Sequence, residues 1–179
     1  DTDRSRGLGD VYKRQVKMTG YSDYLHPFGD GLLLGIGYET DAKTSEKTGV
    51  KLTMFDISDP INLRILDSVT INEDFCSAAE NYKCAFVDTG RGLVGFATET
   101  WTKTNYNRYM LFQWDGTSFV KKISLKRTQQ KMDTWTGAEQ MRGLSSGDRF
   151  YVLHVERDDF SLISYDMKND FQEIETQKY

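Results

Sequence analysis

One short pattern returns three times along this chain of 179 residues and constrains its fold more than any other feature. An aromatic residue followed by aspartate closes an alternating apolar run at Phe55-Asp56, Trp114-Asp115 and Tyr165-Asp166, at intervals of 59 and 51 residues. A second register runs beside it. Apolar strands that open on glycine begin at Gly31, Gly92 and Gly147, spaced by 61 and 55 residues. Two registers with similar periods imply one structural unit, built three times, that buries its faces only by stacking on its neighbours.

The unit is made of strands. Short runs rich in β-branched and aromatic residues, such as Leu32 to Tyr38, Val50 to Ile57, Gly92 to Ala97, Tyr109 to Trp114 and Phe150 to Val155, are bounded by Gly, Asp, Asn, Ser and Thr. No window keeps the i, i+3, i+4, i+7 spacing over the ten or more residues of a helix, and only Ser77 to Glu80 and Trp135 to Met141 suit a single helical turn. The expectation is an all-β chain, a fragment of a β-propeller with about three four-stranded antiparallel blades near 16–71, 76–126 and 137–176. Their innermost strands are expected at Tyr24 to Phe28, Cys84 to Val87 and Glu139 to Leu144. The Asp that ends each third strand suits a turn, because its carboxylate can accept from backbone N–H groups two residues on. A β-sandwich of about nine to twelve strands is the competing fold, and the repeated register favours the propeller.

Charge and hydropathy narrow the function. With 27 acidic against 23 basic residues the net charge is -4, and no basic stripe marks a phosphate-binding surface, so nucleic acid is not an expected partner. The richest apolar stretch, Gly31 to Tyr38, has eight uncharged residues where a membrane helix needs about 20, so no membrane span is expected. Residues 1–15 (DTDRSRGLGDVYKRQ) offer little to bury. Gly7 to Gln15 resembles translated adapter sequence, and the stretch is read as a non-native or disordered leader outside the fold; a basic arm for an acidic partner is the alternative.

Three ordered blocks carry a family resemblance: Tyr21 to Phe28 (YSDYLHPF), Leu32 to Gly37 (LLLGIG) and Lys51 to Pro60 (KLTMFDISDP). Over residues 18–70 the chain resembles secreted or surface-anchored bacterial proteins with a C-terminal β-propeller domain distantly related to WD repeats. The resemblance implies an extracytoplasmic location and a propeller, with the remaining blades upstream, and no settled activity. Beyond Ile71 it fades: relatives carry an acidic–Tyr–Asp–His–Lys string where this chain reads Ser77 to Phe86 (SAAENYKCAF), without the Asp–His pair.

Candidate site residues fall in three places. Asp23, Tyr24 and His26 share one segment, where a carboxylate near an imidazole begins a general-base arrangement; no nucleophile motif such as G-x-S-x-G accompanies it, so a structural histidine competes. Trp101 and Tyr106 lie in a polar loop, Thr98 to Arg108, whose aromatics can stack on sugar rings while its amides bond hydroxyls; Trp135 has similar neighbours. The competing reading has Trp101 filling a blade interface. His154 alternates with apolar neighbours and reads as sheet packing.

Metal and cofactor signals are weak. Two His 128 residues apart and no C-x-x-C give no zinc pattern, and turn chemistry accounts for Asp56 and Asp59 without a calcium ion. No cofactor and no catalytic residue is assigned. Cys76 and Cys84 enclose seven residues and are either a small disulfide loop or buried thiols. The chain thus reads as a non-catalytic propeller domain of a secreted or cell-surface protein that binds protein or glycan. The alternative is a fragment of a cell-wall or glycan-acting hydrolase with its site at the propeller axis; a purely structural spacer is the third possibility.

Overall fold

The computed structural model describes residues 18–101, 106–128, 141–156 and 159–179. They form three antiparallel sheets in chain order. The first is β1 (Tyr21–Pro27), β2 (Leu32–Thr40), β3 (Lys47–Asp56) and β4 (Arg64–Ile71), each paired with the next. The second contains β5 (Phe75–Cys76), β6 (Phe86–Asp88), β7 (Leu93–Thr100), β8 (Tyr106–Trp114) and β9 (Phe119–Thr128). The third is β10 (Met141–Ser146), β11 (Arg149–Glu156), β12 (Asp159–Asp166) and β13 (Gln172–Lys178). The chain is therefore all-β, with three stacked units as a propeller fragment requires.

Both registers have a local cause. Gly31, Gly92 and Gly147 have φ of 71°, 69° and 56°, the left-handed region that costs glycine least, and each sits in the tight turn leading into β2, β7 or β11, the second strand in the order of its sheet. The three aspartates cap the turn after the third strand: Asp56 accepts from the Ser58 N–H at 2.9 Å, Asp115 from Thr117 at 2.8 Å and Asp166 from Lys168 at 3.0 Å.

Period-two alternation sets the stacking. On the middle sheet, Val94, Phe96, Met110 and Phe112 face the first sheet and join Leu34, Ile36, Leu52 and Met54 in one core. Their sequence neighbours Leu93, Ala97, Tyr109 and Leu111 face the third sheet and join Phe150, Val152, Ile163 and Tyr165 in the other. The middle sheet is thus dry on both faces, each large side chain contributing about 1.5–3 kcal/mol by leaving water.

The outer faces differ. On the third sheet, register places Leu144 opposite Tyr151, Leu153 opposite Leu162 and Val155 opposite Phe160, on the side away from the middle sheet. Leu144, Val155 and Phe160 are exposed there. The first sheet's outer face is mixed: Lys51 pairs with Glu39 at 2.6 Å and donates to the Thr19 carbonyl, the Thr53 and Ser68 hydroxyls meet at 3.2 Å, and register adds Leu25, Leu33, Phe55 and Ile65 to the same side.

The inner position of the middle sheet departs from expectation. Cys84 does not start an inner strand there. β5 pairs with the far end of β7 and β6 with its near end. Between them the chain folds into a helical turn, α1 (Ser77–Glu80), and a 3-10 turn at Tyr82–Cys84 held by the Lys83 N–H donating to Asn81. Cys76 and Cys84 are buried and not joined in a disulfide, and burial pushes the Cys76 thiol up to about 12. The leader, residues 1–15, and the expected start of the third inner strand lie outside the described residues.

Candidate functional site

On β1 the three candidates do not converge. A shift in register between Ser22 and Tyr24 marks Asp23 as an extra residue in the strand. Its carboxyl lies in the field of Lys47 and Glu80 rather than on the imidazole, and desolvation raises its pKa, opposed by the Lys47 charge. Tyr24 and His26 share a strand face, and the tyrosine hydroxyl meets His26 Nδ1 at 2.8 Å. The general-base arrangement of Asp23 with His26 is thus replaced by a tyrosine–histidine pair.

A denser constellation gathers at the other candidate region, where the connection from β4 to β5 meets the hairpin ends of β7 and β8. Glu73, on that connection, is buried at 3% side-chain exposure. Its Oε1 accepts from the Tyr106 hydroxyl at 3.1 Å and pairs with Arg108 Nε at 3.3 Å, while Oε2 has no hydrogen-bond partner. Burial raises its pKa, partly offset by the Arg108 charge. Arg108 also donates to the Tyr106 hydroxyl and to Ser124, each at 3.2 Å. Lys126 Nζ stands 3.9 Å over the Tyr106 ring.

Trp101 lies on the opposite face of the same strand ends. Its indole N–H donates to Glu99 at 3.0 Å, its ring rests against Phe75 with centroids 6.2 Å apart, and its backbone N–H donates to Asp74 at 2.8 Å. Held by three contacts, the indole is nonetheless 60% exposed. At that exposure it does not fill an interface between sheets. Tyr106 and Trp101 therefore occupy one end of the middle sheet on opposite faces, and Trp135 lies outside the described residues.

Sequence reasoning missed Glu73, Asp74, Glu99 and Arg108. Glu73 and Asp74 look like solvated turn acids, and nothing in their spacing announces an arginine 35 residues on. Among the described residues no group of three or more His, Cys, Asp or Glu could hold a metal ion. The Asp56 carboxylate is taken by Ser58 and Arg64, and that of Asp59 by Ile61 and Asn62.

Residues 13–163 match the family described as the beta propeller domain. The chain belongs to that family. Two archaeal proteins are similar to this propeller domain. An uncharacterised protein of Methanocaldococcus jannaschii is 37% identical over 68 residues, which is 38% of this chain and 10% of that protein. An uncharacterised protein of Archaeoglobus fulgidus is 25% identical over 109 residues, 61% of this chain and 16% of that protein. The propeller domain therefore spans a small fraction of the curated relatives it matches. Among solved structures, a chain from Bacteroides ovatus provisionally named a hydrolase aligns over 99% of this chain and 48% of its own, with a TM-score of 0.34 and 8% identity. Among the described residues no helix is long and apolar enough to cross a membrane.

Proposed function

We propose that the chain is a non-catalytic binding domain of a secreted or cell-surface protein, whose ligand is a glycan stacked on Trp101. The observation that carries this reading is the exposed but immobilised indole: Glu99, Phe75 and Asp74 hold it in place, so stacking a sugar ring costs little ordering of the side chain. The nearby carboxylates serve as braces, Asp74 for the Thr100 hydroxyl and the Trp101 N–H, Glu99 for the indole. The resemblance of residues 18–70 to surface-anchored proteins supports the location. In this reading further blades complete the ring, and the exposed apolar residues Leu144, Val155 and Phe160 on the outer face of the third sheet support it.

A glycan array followed by tryptophan-fluorescence titration tests the proposal. The expected result is saturable binding of at least one glycan that Trp101→Ala weakens ten-fold or more without lowering the melting temperature. Release of reducing ends from a bound glycan would replace the reading with hydrolysis, and binding untouched by Trp101→Ala would move the site elsewhere.

A further inference from the structure

The first and middle sheets are pinned together at two points along their outer strands and splay apart between them. At one pin, the Phe119 N–H at the start of β9 donates to Asp67 of β4 at 2.8 Å. At the other, Glu73 just past β4 holds Tyr106 and Arg108 of β8. The gap is a cleft of about 380 Å³. Val69 and Ile71 line one side, and Met110, Phe112 and Phe119 the other.

The polar rim is basic. Register puts Lys126 opposite Arg108 and Lys121 opposite Phe112, so both lysines lie on the face of the middle sheet that looks toward the cleft. Strand β9 reads FVKKISLKRT, four cations and no acid in a chain whose net charge is -4. Lys122 turns the other way and pairs with Asp170 at 2.7 Å. Glu73 neutralises Arg108, and Asp67 at the first pin is the second acid, so Arg108, Lys121 and Lys126 stand against two carboxylates and the rim keeps one positive charge in excess. β4 and β9 are also the edge strands of their sheets, whose outward backbone groups can pair with an extended chain.

We propose that this cleft docks an extended acidic segment of a partner protein. An apolar side chain of that segment enters between Val69, Ile71, Phe112 and Phe119, and flanking carboxylates meet Lys121 and Lys126. Charge complementarity selects the partner, and the apolar floor supplies the anchor. The site is separate from the Trp101 surface and stands or falls independently of it.

Fluorescence anisotropy with three labelled decapeptides tests the proposal: an Asp/Glu peptide with two leucines, its counterpart with both leucines changed to serine, and a lysine-background peptide with the leucines kept. The acidic leucine peptide is expected to bind saturably, and the other two at least ten-fold more weakly. Lys121→Glu is expected to weaken binding ten-fold or more, Lys178→Glu on the remote β13 less than two-fold, and Trp101→Ala not at all. Lys121→Gln serves as the readout where the charge reversal lowers the melting temperature. Absence of saturable binding, equal binding of the serine peptide, or an equal effect of Lys178→Glu overturns the proposal. So does octanoate occupying the cleft where the peptide does not, which would make it a pocket for small acids.

Discussion

The Tyr38 hydroxyl accepts a hydrogen bond from the backbone N–H of Cys76 at 3.2 Å, tying the second strand of the first sheet to the residue where the inner strand of the second breaks off. Both residues are almost fully buried, at 1% and 0% exposure. Tyr38→Phe keeps the ring and leaves that N–H buried without this partner, a loss of about 1–3 kcal/mol. Urea denaturation is expected to show the transition midpoint falling with an unchanged slope.

The turn glycines separate two costs, conformation and space. Gly147 has open space around it, so Gly147→Ala meets only the strain of its positive φ, about 1 kcal/mol. Gly92→Ala meets that strain and also places a Cβ 2.7 Å from the Trp114 carbonyl oxygen. Thermal denaturation is expected to rank Gly92→Ala as clearly the more damaging, and equal losses would assign the whole effect to φ.

These glycines also explain how much could be read from sequence. A left-handed turn and an aspartate capping an N–H two residues on are local demands, so they recur wherever the unit recurs, and the alternation that buries Phe96 toward one neighbour and Ala97 toward the other is local too. The site is not local. Glu73 gains its meaning only when stacking brings the β4–β5 connection onto Arg108, and Asp23 loses its expected partner to a one-residue irregularity in β1 that no composition reveals. The same limit hid the break in the inner strand, because Ala85-Phe86-Val87 reads as strand whether or not the chain before it coils.

The Tyr109 hydroxyl is buried without a hydrogen-bond partner, wedged against Gly95 of its own sheet and Gly143 of the next. A Cβ added at Gly143 would land on that hydroxyl, with the Phe150 ring at 2.7 Å blocking retreat. Gly143→Ala is therefore expected to cost about 2 kcal/mol or more, in the range of overpacked cores. Tyr109→Phe removes an unsatisfied polar atom and is expected to be neutral or stabilising by up to about 1 kcal/mol. The double variant, measured by chemical denaturation, is expected to recover part of the Gly143→Ala loss, since the ring edge still crowds the new methyl.

Acid titration sets two kinds of carboxylate against each other. Hydrogen bonds from Ser58 and Arg64 hold the Asp56 carboxyl down at about 2, and those from Ser118 and Thr117 do so for Asp115, against an ordinary value of 3.8. A depressed folded-state value contributes stability above the unfolded value, so this part is present above pH about 4 and disappears as pH falls toward about 2. Glu73 has the opposite sign. Burial raises its pKa, so its contribution is present below the unfolded value and is lost as pH rises through the folded one. Asp115→Asn is therefore expected to flatten the acid limb of the stability profile between pH 4 and 2. Glu73→Gln, with no charge left to bury, is expected to raise the melting temperature more at pH 7 than at pH 4, and differential scanning fluorimetry across that range reads both effects. A Glu73→Gln gain equal at both values would mean that the carboxylate is not a strained buried charge but an ordinary partner of Arg108.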